Sequence, residues 1–284
     1  MFDFILYPVS AILWVWHAVF GALLEPDSGF AWSLSVFFLV FTLRVLLIKP
    51  AISQLRAGRK MQKFAPKIKE LQEKYGNDRQ RLMLEMQKLQ SEGGFNPLGG
   101  CLPALLQIPV FLSLFYVLRS FTPGAESNYV FDREGVASFI NADLFGAKLG
   151  SWISQSEAEL VQFGTDRAEM LTVGLPLMVL AAAATYFTMK MSMRRQTESA
   201  MANPQTAMIS KFLLYIAPAG VLFSGLFLPM PIAVLLYFLA NNVWTFGQQH
   251  LLTNMIDREE ARAAEAAERP DPKKRDTKDG EDGS

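Results

Sequence analysis

The sequence predicts an all-α integral membrane protein built on five membrane-spanning helices, and three observations carry that reading. Of its 284 residues, 51% are hydrophobic and 19% charged, a composition that leans away from soluble globular chains. Charge-free stretches run over residues 4–24, 98–118, 171–189 and 212–249. A stretch of about 20 residues matches a bilayer core about 30 Å thick at about 1.5 Å per helical residue. The connectors alternate between a basic and an acidic bias, as loops on opposite sides of a membrane do.

Residues 1–29 precede the five spans. Phe4–Leu24 admits three readings: a span, a signal peptide or a helix lying on the membrane surface. No basic stretch precedes it, which argues against a signal peptide. Tyr7, Trp14, Trp16 and His17 favour interfaces, while Pro8 and Ser10 weaken a deep span, so an outer-surface helix is favoured. The first span covers residues 30–49. Residues 50–95 hold most of the eleven basic residues found between Lys49 and Glu92, against five acidic ones, which assigns the segment to the cytoplasm. Met61, Phe64, Ile68, Leu71 and Tyr75 recur at three- and four-residue steps, and Leu82, Met86 and Leu89 continue the stripe beyond Gly76-Asn77-Asp78. Gly76 suits a helix C-terminus and Asn77 or Asp78 an N-cap, so the segment reads as an antiparallel helical hairpin. Pro66 kinks the first arm or begins it afresh.

The second span covers residues 97–119. The extracytoplasmic loop 120–170 carries eight acidic residues against three basic ones. The third span is 171–191 and a short basic cytoplasmic loop follows over 192–208. The run Phe212–Gln249 would make a single helix of about 57 Å, nearly twice the bilayer core. Pro229-Met230-Pro231 divides it into spans at 209–228 and 230–250. The C-terminal tail, 251–284, is then cytoplasmic. It reads as a short helical continuation running into a largely disordered end with ten acidic residues against seven basic ones, a poor ligand for nucleic acid.

The single cysteine, Cys101, excludes an internal disulfide and reads as a small buried residue. No phosphate-binding glycine loop is present, His17 and His250 have no ligand spacing, and the spans carry neither a Ser/His/Asp set nor paired carboxylates. No catalytic residue, metal or cofactor is expected, and the chain does not read as an enzyme.

The charge that stands out is Arg44, five residues before Lys49 and so roughly 7–8 Å above the cytoplasmic boundary at about 1.5 Å per residue. Two readings are open: the side chain snorkels to the headgroups, or it faces a water-filled cavity and awaits an anionic partner. No acidic residue in the spans neutralises it. Polar residues on other spans could line such a cavity: Gln107, Ser113, Thr172, Thr185, Thr188, Asn241, Asn242, Thr245, Gln248 and Gln249. Polar residues in spans commonly hold helices together instead. Asn241 and Asn242 point about 100° apart on a helix, so at least one should meet a polar space. Pro103, Pro109, Pro176 and Pro218 suggest a pliable bundle. A channel or secondary transporter for a small anionic solute is the alternative function, but the chain lacks the repeated halves such proteins carry.

The stretch Asn96-Pro97-Leu98-Gly99-Gly100-Cys101-Leu102-Pro103, continuing through Gln107-Ile108-Pro109-Val110-Phe111, resembles the signature of the YidC-type membrane protein insertases of the Oxa superfamily. Leu43-Arg44-Val45-Leu46 before Pro50, the helix Gln62–Tyr75 with Gly76-Asn77-Asp78, Lys190-Met191-Ser192, and Asn241–Gln249 extend the resemblance over residues 1–256. It implies a five-helix core around a hydrophilic groove, in the compact form without a large exported domain. Arg44 would then bind the acidic tail of a client, with Gln107, Thr185, Thr188, Asn241, Asn242 and Trp244 lining the groove. The partners implied are nascent membrane proteins, the lipid bilayer, the Sec translocon, the signal recognition particle receptor and the ribosome. The location implied is the bacterial inner membrane. Several relatives carry Gln just before Lys190-Met191-Ser192, where this chain has Met189, so Thr185 or Thr188 is expected to substitute for that polar contact.

Overall fold

Helices occupy the long apolar stretches, because a backbone in hydrocarbon must satisfy its own hydrogen bonds. In the computed structural model, residues 3–93, 102–194 and 204–268 are described. The motif Asn96–Cys101, residues 195–203 and the tail from Arg269 lie outside them. By contact the chain divides into two units, Met1–Phe246 and Gly247–Ser284.

The first unit opens with α1 (Asp3–Leu24) and α2 (Gly29–Leu46). Both are long and apolar enough to cross a membrane by length and composition, as are α8 (Arg167–Arg194) and Met208–Phe227 within α9 (Pro204–Phe227). These helices make the chain an all-α, multi-pass membrane protein. Tyr7 and Ser10 near the start of α1 meet Tyr129 and the Val130 amide, and Trp16 donates from Nε1 to Thr42 Oγ1 at 2.9 Å. Helix α3 (Ile48–Tyr75) follows α2 after a break at Leu47. Pro50 accounts for the break, since its ring would clash with the Leu46 carbonyl in a continuous helix.

Helix α3 runs unbroken through Pro66 and turns at Gly76, whose backbone stays right-handed (φ −59°). Helix α4 (Arg79–Gly93) returns, with the Asp78 carboxylate accepting the Arg81 amide at 3.0 Å. Phe64, Ile68, Leu71, Tyr75, Leu82, Met86 and Leu89 are all half-buried in this pair, and Lys74 and Arg81 approach the Tyr75 ring.

Helix α5 (Leu102–Arg119) leads into residues 120–166, which form a folded cap. It contains α6 (Arg133–Asn141), the hairpin β1 (Asp143–Leu144) and β2 (Ala147–Lys148), and α7 (Glu157–Phe163). Asp132 caps α6, a Ser156/Glu159 capping box starts α7, and Gly164 ends α7 in the left-handed region at φ 73°. Phe121, Phe131, Phe139, Leu149 and Leu160 are buried with Trp32 of α2, whose indole donates to Ser138 Oγ at 3.1 Å. The cap thus shares one hydrophobic core with the helices. Gly29 permits the closest approach: a Cβ there would lie 1.8 Å from the Asp143 carbonyl oxygen.

Helix α10 (Ile232–Glu268) begins inside this core, with Ile232, Ala233, Val234, Leu235, Leu236 and Tyr237 all buried. A helix apolar on every side belongs in an interior. Its first two amides are met by the cap: Ile232 donates to Ser151 O and Ala233 to Leu149 O, both at 3.0 Å. The helix continues to Glu268, so the tail begins with a helical continuation over residues 251–268; Ala261, Ala263, Ala264, Ala266 and Ala267, with Glu and Arg between, are strong helix formers.

Phe139→Ala should lower the unfolding free energy by about 3–5 kcal/mol, because it empties a fully buried ring site. Ser156→Ala removes only a cap and should cost about 0.5–2 kcal/mol. Denaturant unfolding of the purified protein in one detergent measures both, and equal losses would contradict a shared core for the cap.

Candidate functional site

Four helices bring polar side chains together in the first unit. Arg44 stands in the last turn of α2, where the helix C-terminal carbonyls favour a cation. Its Nε donates to Asn241 Oδ1 at 3.2 Å and its Nη2 donates to the same oxygen. Asn241 belongs to α10, and one turn earlier on that helix Tyr237 accepts through its hydroxyl from Gln107 Nε2 of α5. Val40, Leu43, Leu47 and Val110 complete the wall around a cavity of ≈ 10 Å³, room for about one water. The Trp244 ring packs on Phe41, three residues before Arg44, with centroids 5.3 Å apart.

The partner of Arg44 is therefore a neutral amide oxygen, and among the described residues no carboxylate pairs with it. The side chain is half-buried and turned toward α10. An amide oxygen supplies a dipole where a guanidinium in a low dielectric prefers a full negative charge.

The adjacent asparagines serve two separate clusters, as their angular separation on a helix requires. Asn242 Oδ1 accepts from Thr188 Oγ1 at 2.8 Å, while its Nδ2 donates to Thr185 Oγ1 at 3.1 Å and to Phe238 O at 2.8 Å. Asn242 and Thr188 are buried, so this cluster fastens α10 to α8. Ser113, Thr172 and Thr245 turn their hydroxyls onto carbonyls of their own helices. Gln248 and Gln249 fall in the second unit. Of the residues singled out in sequence, Arg44, Gln107 and Asn241 come together, with Trp244 beside Phe41, and Thr185, Thr188 and Asn242 form the second group. Tyr237 was not singled out; the signal that could have found it is its place four residues before Asn241, on the same helical face. The asparagines that build the site also lower the hydropathy of the first half of α10.

The chain is thus a multi-pass helical membrane protein with a polar cluster on facing helices, and among the described residues its arginine is hydrogen-bonded to an amide oxygen. Residues 23–260 match the family described as the 60Kd inner membrane protein. A relative in Mycolicibacterium paratuberculosis named membrane protein insertase YidC is 52% identical, the alignment covering 94% of this chain and 80% of that protein. One of the same name in Mycobacterium tuberculosis is 51% identical over 94% of this chain and 77% of its own length. A Streptomyces avermitilis relative, also of that name, is 36% identical over 88% of this chain and 57% of its own length. The chain belongs to this family, the YidC-type insertases, and membrane protein insertion is its function.

Asn242→Leu should lower stability in detergent by about 0.6–1.7 kcal/mol, the range for an interhelical hydrogen bond in a membrane. Insertion of client proteins should stay near the native level; loss of insertion in a stably folded variant would move Asn242 from helix fastening into the working site.

Proposed function

We propose that client segments are received in a hydrophilic groove whose recognition element is Arg44, with Gln107, Tyr237 and Asn241 as its polar wall and Trp244 at its flank. The observation that carries this reading is the membrane-embedded guanidinium held by an amide oxygen rather than a carboxylate. A cation in a span costs at least about 2.5–3.5 kcal/mol on insertion scales. The acidic N-terminal tail of a single-span client would offset that cost better than the amide does. Moving such a tail across about 30 Å of hydrocarbon unaided is prohibitive, whereas a polar recess carries it part of the way. Partition of the client's apolar helix into lipid then supplies the driving force.

The orientation belongs to the same proposal. The basic excess of residues 50–95 supports a cytoplasmic α3–α4 hairpin and a cytoplasmic C-terminus, with the 120–166 cap on the opposite face. The contacts of Tyr7 and Ser10 with Tyr129 and Val130 support α1 lying toward the capped side. The cationic hairpin is the surface suited to the Sec translocon, the signal recognition particle receptor and the ribosome. The net negative tail is not a nucleic acid ligand.

Cells depleted of the native protein and supplied with variants test the site through insertion of small single-span proteins. Arg44→Ala should abolish insertion of acidic-tailed clients and Arg44→Lys should restore part of it. Normal insertion by Arg44→Ala would support snorkelling and overturn the groove reading. Asn241→Asp should impair the same clients as strongly as Arg44→Ala, because an internal carboxylate would occupy the guanidinium permanently; unimpaired insertion would remove Asn241 from the recognition element.

A further inference from the structure

We propose that the β1–β2 hairpin is a membrane anchor, its tip residue Phe145 seated with Phe30 in the headgroup–acyl boundary of the bilayer. Phe145 is 79% exposed and has φ +52°, followed by Gly146 at φ +92°. A two-residue hairpin turn of this kind needs positive φ at both positions, and Asn or Gly meets that need at the first. A phenylalanine there is strained, and leaving its ring in water adds a second cost. Both local rules are broken at one residue, which marks a position whose compensation lies outside the chain.

The neighbouring helix says what covers the ring. Phe145 packs edge-on against Phe30, with centroids 6.0 Å apart. Phe30 occupies the first turn of α2 and is itself 56% exposed. Below it on the same helix face stand Leu34 and, further along, Val45, both exposed apolar residues of a membrane-spanning segment. Phe30 and Leu34 thus form an exposed apolar edge at the start of a segment long and apolar enough to cross a membrane, and the face turns inward further along, where Phe41 packs on Trp244. The hairpin lies close to this level, since the Asp143 carbonyl approaches Gly29 so closely that no Cβ would fit. The hairpin's Lys148 pairs with Asp143 at 3.7 Å, a polar base suited to headgroups above an apolar tip.

The partner is thus the lipid surface, and the anchor ties the cap to the bilayer as the cap ties the start of α10. A fluorescent nitrobenzoxadiazole label on Phe145→Cys, in a full-length Cys101→Ser chain reconstituted into phosphatidylethanolamine–phosphatidylglycerol vesicles, tests this. Emission should be blue-shifted, and quenching by a lipid bearing a nitroxide near the headgroup should exceed quenching by iodide severalfold. A label on Arg258→Cys, exposed on the last helix, should show the reverse. The same lipid-quenched pattern is expected at Phe30→Cys, which keeps the test open should the hairpin variant fail to fold. Iodide quenching at position 145 equal to that at 258 would overturn the proposal. Protection from both quenchers would also overturn it, in favour of a protein surface such as a second copy of the chain.

Discussion

The first two amides of α10 donate to the carbonyls of Ser151 and Leu149, and the rest of the structure hangs on that junction. A helix N-terminus has four unmet N–H groups, and in an apolar interior each must find an acceptor or cost free energy. The cap supplies two. With its start fixed, α10 descends through the core and presents Tyr237 and Asn241 toward α5 and α2, and Asn242 toward α8. The site is therefore positioned from the capped end of the bundle. The cap in turn depends on Trp32, which fills its aromatic core from α2 while hydrogen-bonding Ser138. Ser138 passes the link on to the Pro26 carbonyl at 2.7 Å.

Two kinds of polar contact sit side by side on α10. Asn242 with Thr185 and Thr188 is a closed set in which donors and acceptors are matched, so it adds cohesion. Arg44 with Asn241 is matched in geometry and unmatched in charge. A membrane interior magnifies the difference, since the energy of a charge depends on what opposes it when water does not screen it. One amide residue on each of two adjacent positions thus divides α10 into a face fastened to α8 and a face turned to Arg44. Helices α8 and α9 pack closely in turn: a Cβ at Gly225 would lie 2.1 Å from the Met178 sulfur.

Much of this was legible in the sequence. Charge-free length announced the helices, and the hairpin of α3 and α4 followed from a three- and four-residue stripe with a Gly-Asn-Asp turn. Arg44 stood out because a charge in an apolar run is rare, and the Asn241–Asn242 pair because adjacent helical positions cannot share one partner. Tyr237 was not legible, since a tyrosine in an apolar run reads as core until a hydrogen-bond partner is placed beside it. The ordered cap was not legible either. Phe121, Phe131 and Phe139 are too far apart to form a stripe on a single element, and the residue that completes their cluster, Trp32, is about a hundred positions away in a different element.

By itself the sequence determined the helices, the charge asymmetry of the connectors and the presence of an arginine inside an apolar span. Those properties depend on residue type and spacing along a single element. Only the tertiary structure decided that Arg44 meets Asn241, that Asn242 belongs to a different contact, and that the acidic connector folds into a cap holding the start of α10. These depend on which faces meet across long stretches of chain, and such meetings are set by packing and by the demand that every buried polar group find a partner.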